Sequence, residues 1–145
     1  GASYDYILID CPPSLSLLTV MALVTSDSLL VPLQAEFFAL EGLTQLIKTI
    51  DRIKINLNPE LKIRGILLTM FDKRNKLSSQ VEKEARDYFS DKVYLTVIPR
   101  NVRLSEAPSH GMPVLIYDKS CPGSKSYFNF TDEFINQENS IGSAA

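Results

Sequence analysis

The chain predicts a three-layer α/β fold, a mainly parallel sheet with helices on both faces, and two patterns carry the prediction. Short β-branched and apolar runs alternate with helix-period segments several turns long, the rhythm of right-handed strand–helix–strand crossovers. One run, Ile63 to Phe71, is apolar almost without interruption, as in a strand covered on both faces.

Tyr4 to Ile9, aromatic and β-branched, reads as the first strand and ends in Asp10. Cys11-Pro12-Pro13 stops it, because proline has no N–H with which to continue a ladder. Ser14 to Val24 is apolar on nearly every side, which predicts a buried helix capped by Ser14 or Ser16. Ser28 to Leu33 is the next strand. Leu40, Leu43, Leu46, Ile47, Ile50, Ile53 and Leu57 recur at helical spacing and predict an amphipathic helix stopped by Asn58-Pro59.

After the Ile63–Phe71 strand comes a polar loop, Asp72 to Lys76. The following helix has apolar positions at Leu77, Val81, Ala85, Tyr88 and Phe89, with Ser79 and Glu82 spaced as a capping box. Val93 to Ile98 is a further strand. A loop-rich stretch through Pro99, Pro108, Gly111 and Pro113 leads to a short apolar run, Val114 to Tyr117, and a helix from Ser124 to Ile135. Residues 1–138 are expected to form one partial domain, and 139–145 a frayed tail.

Composition narrows the class. The 145 residues are 45 % hydrophobic and 22 % charged, which excludes a disordered or collagen-like chain and suits a single domain. No run approaches the roughly 18 apolar residues of a membrane span. The opening Gly1-Ala2-Ser3 has no Met and leads straight into a strand, which predicts a piece of something longer. Cys11 and Cys121 are too few for a disulfide framework and lack zinc spacing, so a reduced, cytoplasmic setting is expected.

The net charge of −2 hides an asymmetry. Residues 48 to 103 hold 13 of the 15 Lys and Arg against 7 acids. That stretch is either a candidate for polyanion contact or a set of solvated helix faces.

In parallel sheets, ligands bind at the carboxyl ends of the strands. This points to Asp10-Cys11-Pro12-Pro13, to Met70 through Arg74, and to Pro99 through Arg103 on one rim. An apolar strand ending in Asp offers one carboxylate where a hydrated Mg²⁺ carrying nucleotide phosphates could be held. A strand-end Asp also serves as a helix cap or loop partner. His110 has no nucleophile motif to pair with and reads as a turn or helix-end histidine, and Cys11 reads as a packing residue.

Several blocks, in order, resemble one family. They are Asp5-Tyr6-Ile7-Leu8-Ile9-Asp10-Cys11-Pro12-Pro13-Ser14-Leu15, Val31-Pro32-Leu33-Gln34 with Glu36-Phe37-Phe38-Ala39-Leu40-Glu41-Gly42-Leu43, and Leu68-Thr69-Met70-Phe71-Asp72. The longest runs from Ile98-Pro99-Arg100-Asn101-Val102-Arg103 through Leu104-Ser105-Glu106-Ala107-Pro108-Ser109-His110-Gly111. Together, over about residues 4 to 118, they resemble the ParA/Soj chromosome-partitioning ATPases, of the deviant Walker A P-loop class.

The resemblance implies an ATP-switched segregation protein in the cytoplasm, associated with the nucleoid. Its ATP-bound homodimer would coat DNA nonspecifically and be released by a ParB-type partner. Asp10 would be the Walker B carboxylate ordering the water shell of Mg²⁺, and Pro12-Pro13 a switch that feels the γ-phosphate. Met70, Pro99, Arg100 and Asn101 would frame the adenine, or Pro99 to Asn101 would be a mere strand-end turn. Arg74 and Arg103, with Lys73 and Lys76 nearby, would contact DNA phosphates without reading bases.

Two departures follow. No GxxxxGK[ST] loop, nor its Lys-Gly-Gly-Val-Gly-Lys-Thr form, occurs in these residues. The family carries it upstream, on a strand between those matching Tyr6–Ile9 and Ser28–Leu33, so this piece is expected to be a C-terminal portion without hydrolysis of its own and with two unpaired edges. The family's basic Asp-Pro-Arg-Ser-Arg-Gly pattern is replaced by Asp118-Lys119-Ser120-Cys121-Pro122-Gly123-Ser124. No Lys or Arg follows Lys125, so a membrane-binding basic helix like that of the related ATPase MinD is not expected. The rival reading is a noncatalytic remnant that binds only DNA or a protein surface. A small-molecule enzyme on a generic doubly wound sheet lacks any Rossmann fingerprint.

Overall fold

The computed structural model describes residues 3–12 and 16–142. In chain order these form α1 (Leu17–Thr25), β1 (Ser28–Gln34), α2 (Ala39–Asn56), β2 (Lys62–Thr69), α3 (Lys76–Phe89), α4 (Val102–Glu106), α5 (Val114–Tyr117) and α6 (Pro122–Gly142). β1 and β2 pair in parallel, and the segment from Val93 to Pro99 joins the other edge of β2 through single bridges at Ile66–Val93 and Phe71–Pro99.

Alternation along β2 sends its side chains into two separate cores. Ile66 and Leu68 meet Leu43 of α2 with Val81 and Ala85 of α3 on one face. Leu67 meets Tyr94, Ile98, and Tyr127, Phe130 and Phe134 of α6 on the other. Helices therefore cover both faces of a parallel sheet, the three-layer arrangement expected. A third cluster, Leu23, Ile50, Ile53 and Leu61, docks α1 against the far end of α2.

Close packing selects a glycine in β2. A Cβ at Gly65 would overlap the ring of Tyr94, itself only 2 % exposed. Beside it, Leu29 pairs with Ile63 and Leu30 with Gly65, so Arg64 is left over as a bulge. Its guanidinium reaches Glu138 of α6 at 2.7 Å and lies 5.5 Å from the Phe134 ring centre.

Four expectations are corrected. Tyr4 to Ile9 is not a strand: its backbone has no ladder neighbour among the described residues, and Tyr4, Ile7 and Leu8 are each more than 80 % exposed. An apolar run becomes a strand only when another strand takes its N–H and C=O groups. Instead it borders an open space of about 2560 Å³ whose other walls include β1 and α6. The same lack of cover leaves α1 unburied, with Leu17, Leu18 and Met21 exposed and only Thr19 and Leu23 inside. Its cap is Ser16, whose Oγ accepts from the Thr19 amide. Ser14 lies outside the described residues.

The capping box of α3 is the third correction. Asn75 Oδ1 accepts from the Leu77 amide at 3.0 Å and starts the helix four residues before Ser79, while Glu82 pairs with Arg86. Fourth, Val93 to Ile98 is extended but makes only bridges. One edge bonds β2 through Tyr94 N to Ile66 O and Ile98 N to Leu68 O. On the other edge, side chains replace a ladder: Glu133 accepts from Leu95 N and Thr96 N, and Arg86 donates to Tyr94 O. Val114 to Tyr117 is one helical turn, and α6 continues past Ile135 to Gly142.

Candidate functional site

The carboxyl ends of β1, β2 and the 93–99 segment are knitted into one rim by backbone hydrogen bonds. Ala35 N donates to Thr69 O at 3.0 Å, Phe71 N to Ile98 O at 3.1 Å, and Arg100 N to Phe71 O at 2.9 Å. Met70 sits at the centre of this weave with φ +54°, in the left-handed region that side chains other than glycine rarely adopt. Such a conformation costs of order 1–3 kcal/mol and persists only where its surroundings over-determine it. Here both peptide neighbours of Met70 are bonded to adjoining segments.

Pro99 bridges to Phe71, Arg100 reaches Glu36 across the rim at 3.5 Å, and Asn101 caps α4 by accepting from the Arg103 amide at 3.0 Å. The structure thus brings Met70, Pro99, Arg100 and Asn101 together.

The two arginines expected at DNA are each held by carboxylates. Arg74 forks onto Asp72, with Nε to Oδ1 and Nη2 to Oδ2 both at 3.1 Å, and its own amide also donates to Oδ1. Those bonds hold the Asp72 carboxyl below the usual carboxylate range. Arg103 donates to Glu106 at 2.8 Å and lies 3.4 Å from Asp118. The Tyr117 hydroxyl donates to the same Glu106 oxygen, and His110 stacks on Tyr117 at 4.9 Å. His110 accordingly closes the 3₁₀ turn Ala107–His110, against an aromatic ring. Arg74 is 91 % exposed and Arg103 51 %, so both guanidiniums remain open to solvent.

Asp10 is not in this weave. It is exposed and, with Cys11 and Pro12, lines the open space next to β1 and α6. Pro13 lies outside the described residues. Among the described residues no three His, Cys, Asp or Glu side chains gather as a metal cage. A lone carboxylate fits a Mg²⁺ that keeps its waters and takes its other ligands from phosphates. No segment with P-loop spacing is present to cradle those phosphates.

Sequence reading missed the residues that hold the rim. Ser78 and Glu133 carry no motif. Only their helical phase, on the inner faces of α3 and α6, could have marked them.

An AAA domain model matches residues 1–63. The chain is 60 % identical over 135 residues to the chromosome partitioning protein ParA of Caulobacter vibrioides, covering 93 % of this chain and 51 % of that protein. It is 56 % identical over 131 residues to the sporulation initiation inhibitor protein Soj of Bacillus subtilis, covering 90 % and 52 %. The chain spans about half the length of the curated relatives it matches. Among solved structures, cobyrinic acid a,c-diamide synthase from Mycobacterium smegmatis, with bound ADP and magnesium, aligns with a TM-score of 0.70 at 30 % identity over 90 % of this chain and 46 % of that one. A plasmid partition protein from Borrelia burgdorferi aligns at 0.57 and 28 % identity, over 81 % and 48 %.

Proposed function

We propose, for a chain that belongs to the ParA/Soj family of chromosome-partitioning ATPases, that it contributes the base-binding rim and the Walker B carboxylate of an ATP-driven DNA-segregation switch. The carrying observation is Met70, held left-handed where three strand-end segments are bonded together. Met70, Pro99, Arg100 and Asn101 would frame adenine. Asp10 would order the waters of Mg²⁺, which when bound offsets the charge of the phosphates. Pro12 and Pro13 would follow the γ-phosphate. ATP and Mg²⁺ use is supported by the nucleotide and magnesium in the cobyrinic acid synthase structures.

On this reading the ATP-bound homodimer grips DNA nonspecifically through Arg74 and Arg103, a ParB-type protein releases it, and the protein works in the cytoplasm on the nucleoid. No helix among the described residues is long and apolar enough to cross a membrane, and no membrane partner is proposed. The absence of a GxxxxGK[ST] loop from these residues favours a second reading, a noncatalytic module that binds DNA or a protein surface.

Thermal unfolding with and without Mg-ATP, on the wild-type chain and on Asp10→Ala, separates the two. Ligand at 100 times its Kd stabilises by about 2.7 kcal/mol. A saturable shift that Asp10→Ala abolishes supports the nucleotide site. A folded chain that shows no shift refutes nucleotide binding by this chain and leaves the module.

A further inference from the structure

We infer that Ser78 is a positioning residue that locks Met70 in its left-handed conformation and thereby sets the shape of the rim; the inference rests on the nucleotide reading only for what the rim binds. Ser78 is 2 % exposed, in the first turn of α3. Its hydroxyl donates to Ala35 O at 3.3 Å, and the Asp72 amide points to the same Oγ at 3.5 Å. Ala35 is the residue whose amide holds Thr69 O, just before Met70, and Asp72 lies two residues after it.

Every other bond in that weave is backbone to backbone. Among the described residues Ser78 is the buried side chain that enters this backbone weave and clasps the segment after β1 to the segment after Met70, whereas the Arg100–Glu36 pair crosses the rim at its exposed surface. Without the hydroxyl, the buried Ala35 carbonyl loses its partner and the part-buried Asp72 amide loses its link to α3. The stretch from Thr69 to Asp72 is then free to relax out of a conformation that Met70 resists. Ordinary helix-surface serines have no such reach. The hydroxyl donates to the Ala35 carbonyl and accepts from the Asp72 amide, so one buried group joins the two segments.

The test is amide hydrogen exchange on the 145-residue chain carrying Ser78→Ala, Met70→Gly, or both. Ser78→Ala is expected to speed exchange of the Phe71 and Asp72 amides about tenfold, with the Ile66 and Leu68 amides of β2 unchanged. In the Met70→Gly background, where no strain needs holding, the same change is expected to speed them less than about threefold. Equal acceleration in both backgrounds, or acceleration spread evenly through β2, would overturn the inference, because a merely structural serine behaves that way. Ser78→Thr, which keeps the hydroxyl, is expected to exchange like the wild type at Phe71. None of these readouts uses nucleotide, so a wild-type chain that fails to bind Mg-ATP refutes the functional reading while exchange alone decides Ser78.

Discussion

Glu133 accepts the backbone amide of Leu95 at 2.7 Å, from 38 residues further along the chain. The same carboxylate takes Thr96 N at 2.9 Å. Since Arg86 gathers the carbonyls of the same stretch, an acid and a base from two helices stand where a neighbouring strand would otherwise be. This fastens the 93–99 segment that delivers Pro99, Arg100 and Asn101 to the rim.

Glu133→Ala is expected to destabilise the chain by about 1 kcal/mol, since the part-buried Thr96 amide loses its partner while the exposed Leu95 amide turns to water. Denaturant unfolding measures it, and a midpoint equal to that of the wild type would show that the carboxylate is dispensable.

Gly65→Ala forces a methyl group into the Tyr94 ring, with Cζ 2.8 Å from the added carbon. Overpacking of this kind costs about 1–3 kcal/mol. Combining it with Tyr94→Leu should recover part of the loss, read as a sub-additive shift in melting temperature.

Met70→Gly removes the steric penalty of the left-handed turn and is expected to stabilise the fold by about 1 kcal/mol. Calorimetry on the two chains checks it. On the nucleotide reading, the same change removes a side chain that frames the adenine and weakens Mg-ATP binding, so stability and affinity move in opposite directions.

Acid should unfasten the start of α6. Bonds to Asp118, first from the Ser120 hydroxyl and then from the Ser120 and Cys121 amides, hold its carboxyl below the ordinary 3.8. A depressed carboxylate contributes stability that is present above its unfolded value and lost as pH falls through the folded one. Stability should therefore decline below about pH 4, and Asp118→Asn should flatten that limb. At the other extreme, burial raises Tyr94, so stability should fall above about pH 10 and less so in Tyr94→Phe.

Arg103 is shared by Glu106 and Asp118, and a phosphate must compete with both. If the arginine serves DNA, Arg103→Ala lowers the slope of log affinity against log salt by about one. Glu106→Gln should then strengthen binding, since it frees the guanidinium. Filter binding across a salt series measures both, and unchanged slopes would remove Arg103 from the interface.

The elements legible in the sequence are those whose signal is local. The periodicity of α2 and the unbroken apolar run of β2 were sufficient because each carries its own core face. Tyr4 to Ile9 has an equally good strand pattern, but pairing depends on a neighbour that the pattern cannot supply. At α3 the Ser79–Glu82 spacing predicts a capping box that the structure does not use; Asn75 caps the helix instead, and starting there puts Ser78, Val81 and Ala85 on the buried face. Of the proposed site, the strand ends put Met70 and Pro99 to Asn101 on one rim, where the backbone bonds gather them. Nothing about a methionine announces a positive φ, and nothing about Ser78 announces a reach of 43 residues.

The two thiols give the chain a built-in clock. Cys11 faces solvent, whereas Cys121 is shut in beneath the first turn of α6, its sulfur 3.4 Å from the Ser124 amide. An alkylating reagent will mark Cys11 at once and Cys121 only as often as that helix start opens. The interval between the two labels times the breathing of the very turn that Asp118 and Ser124 close, with no probe added to the protein.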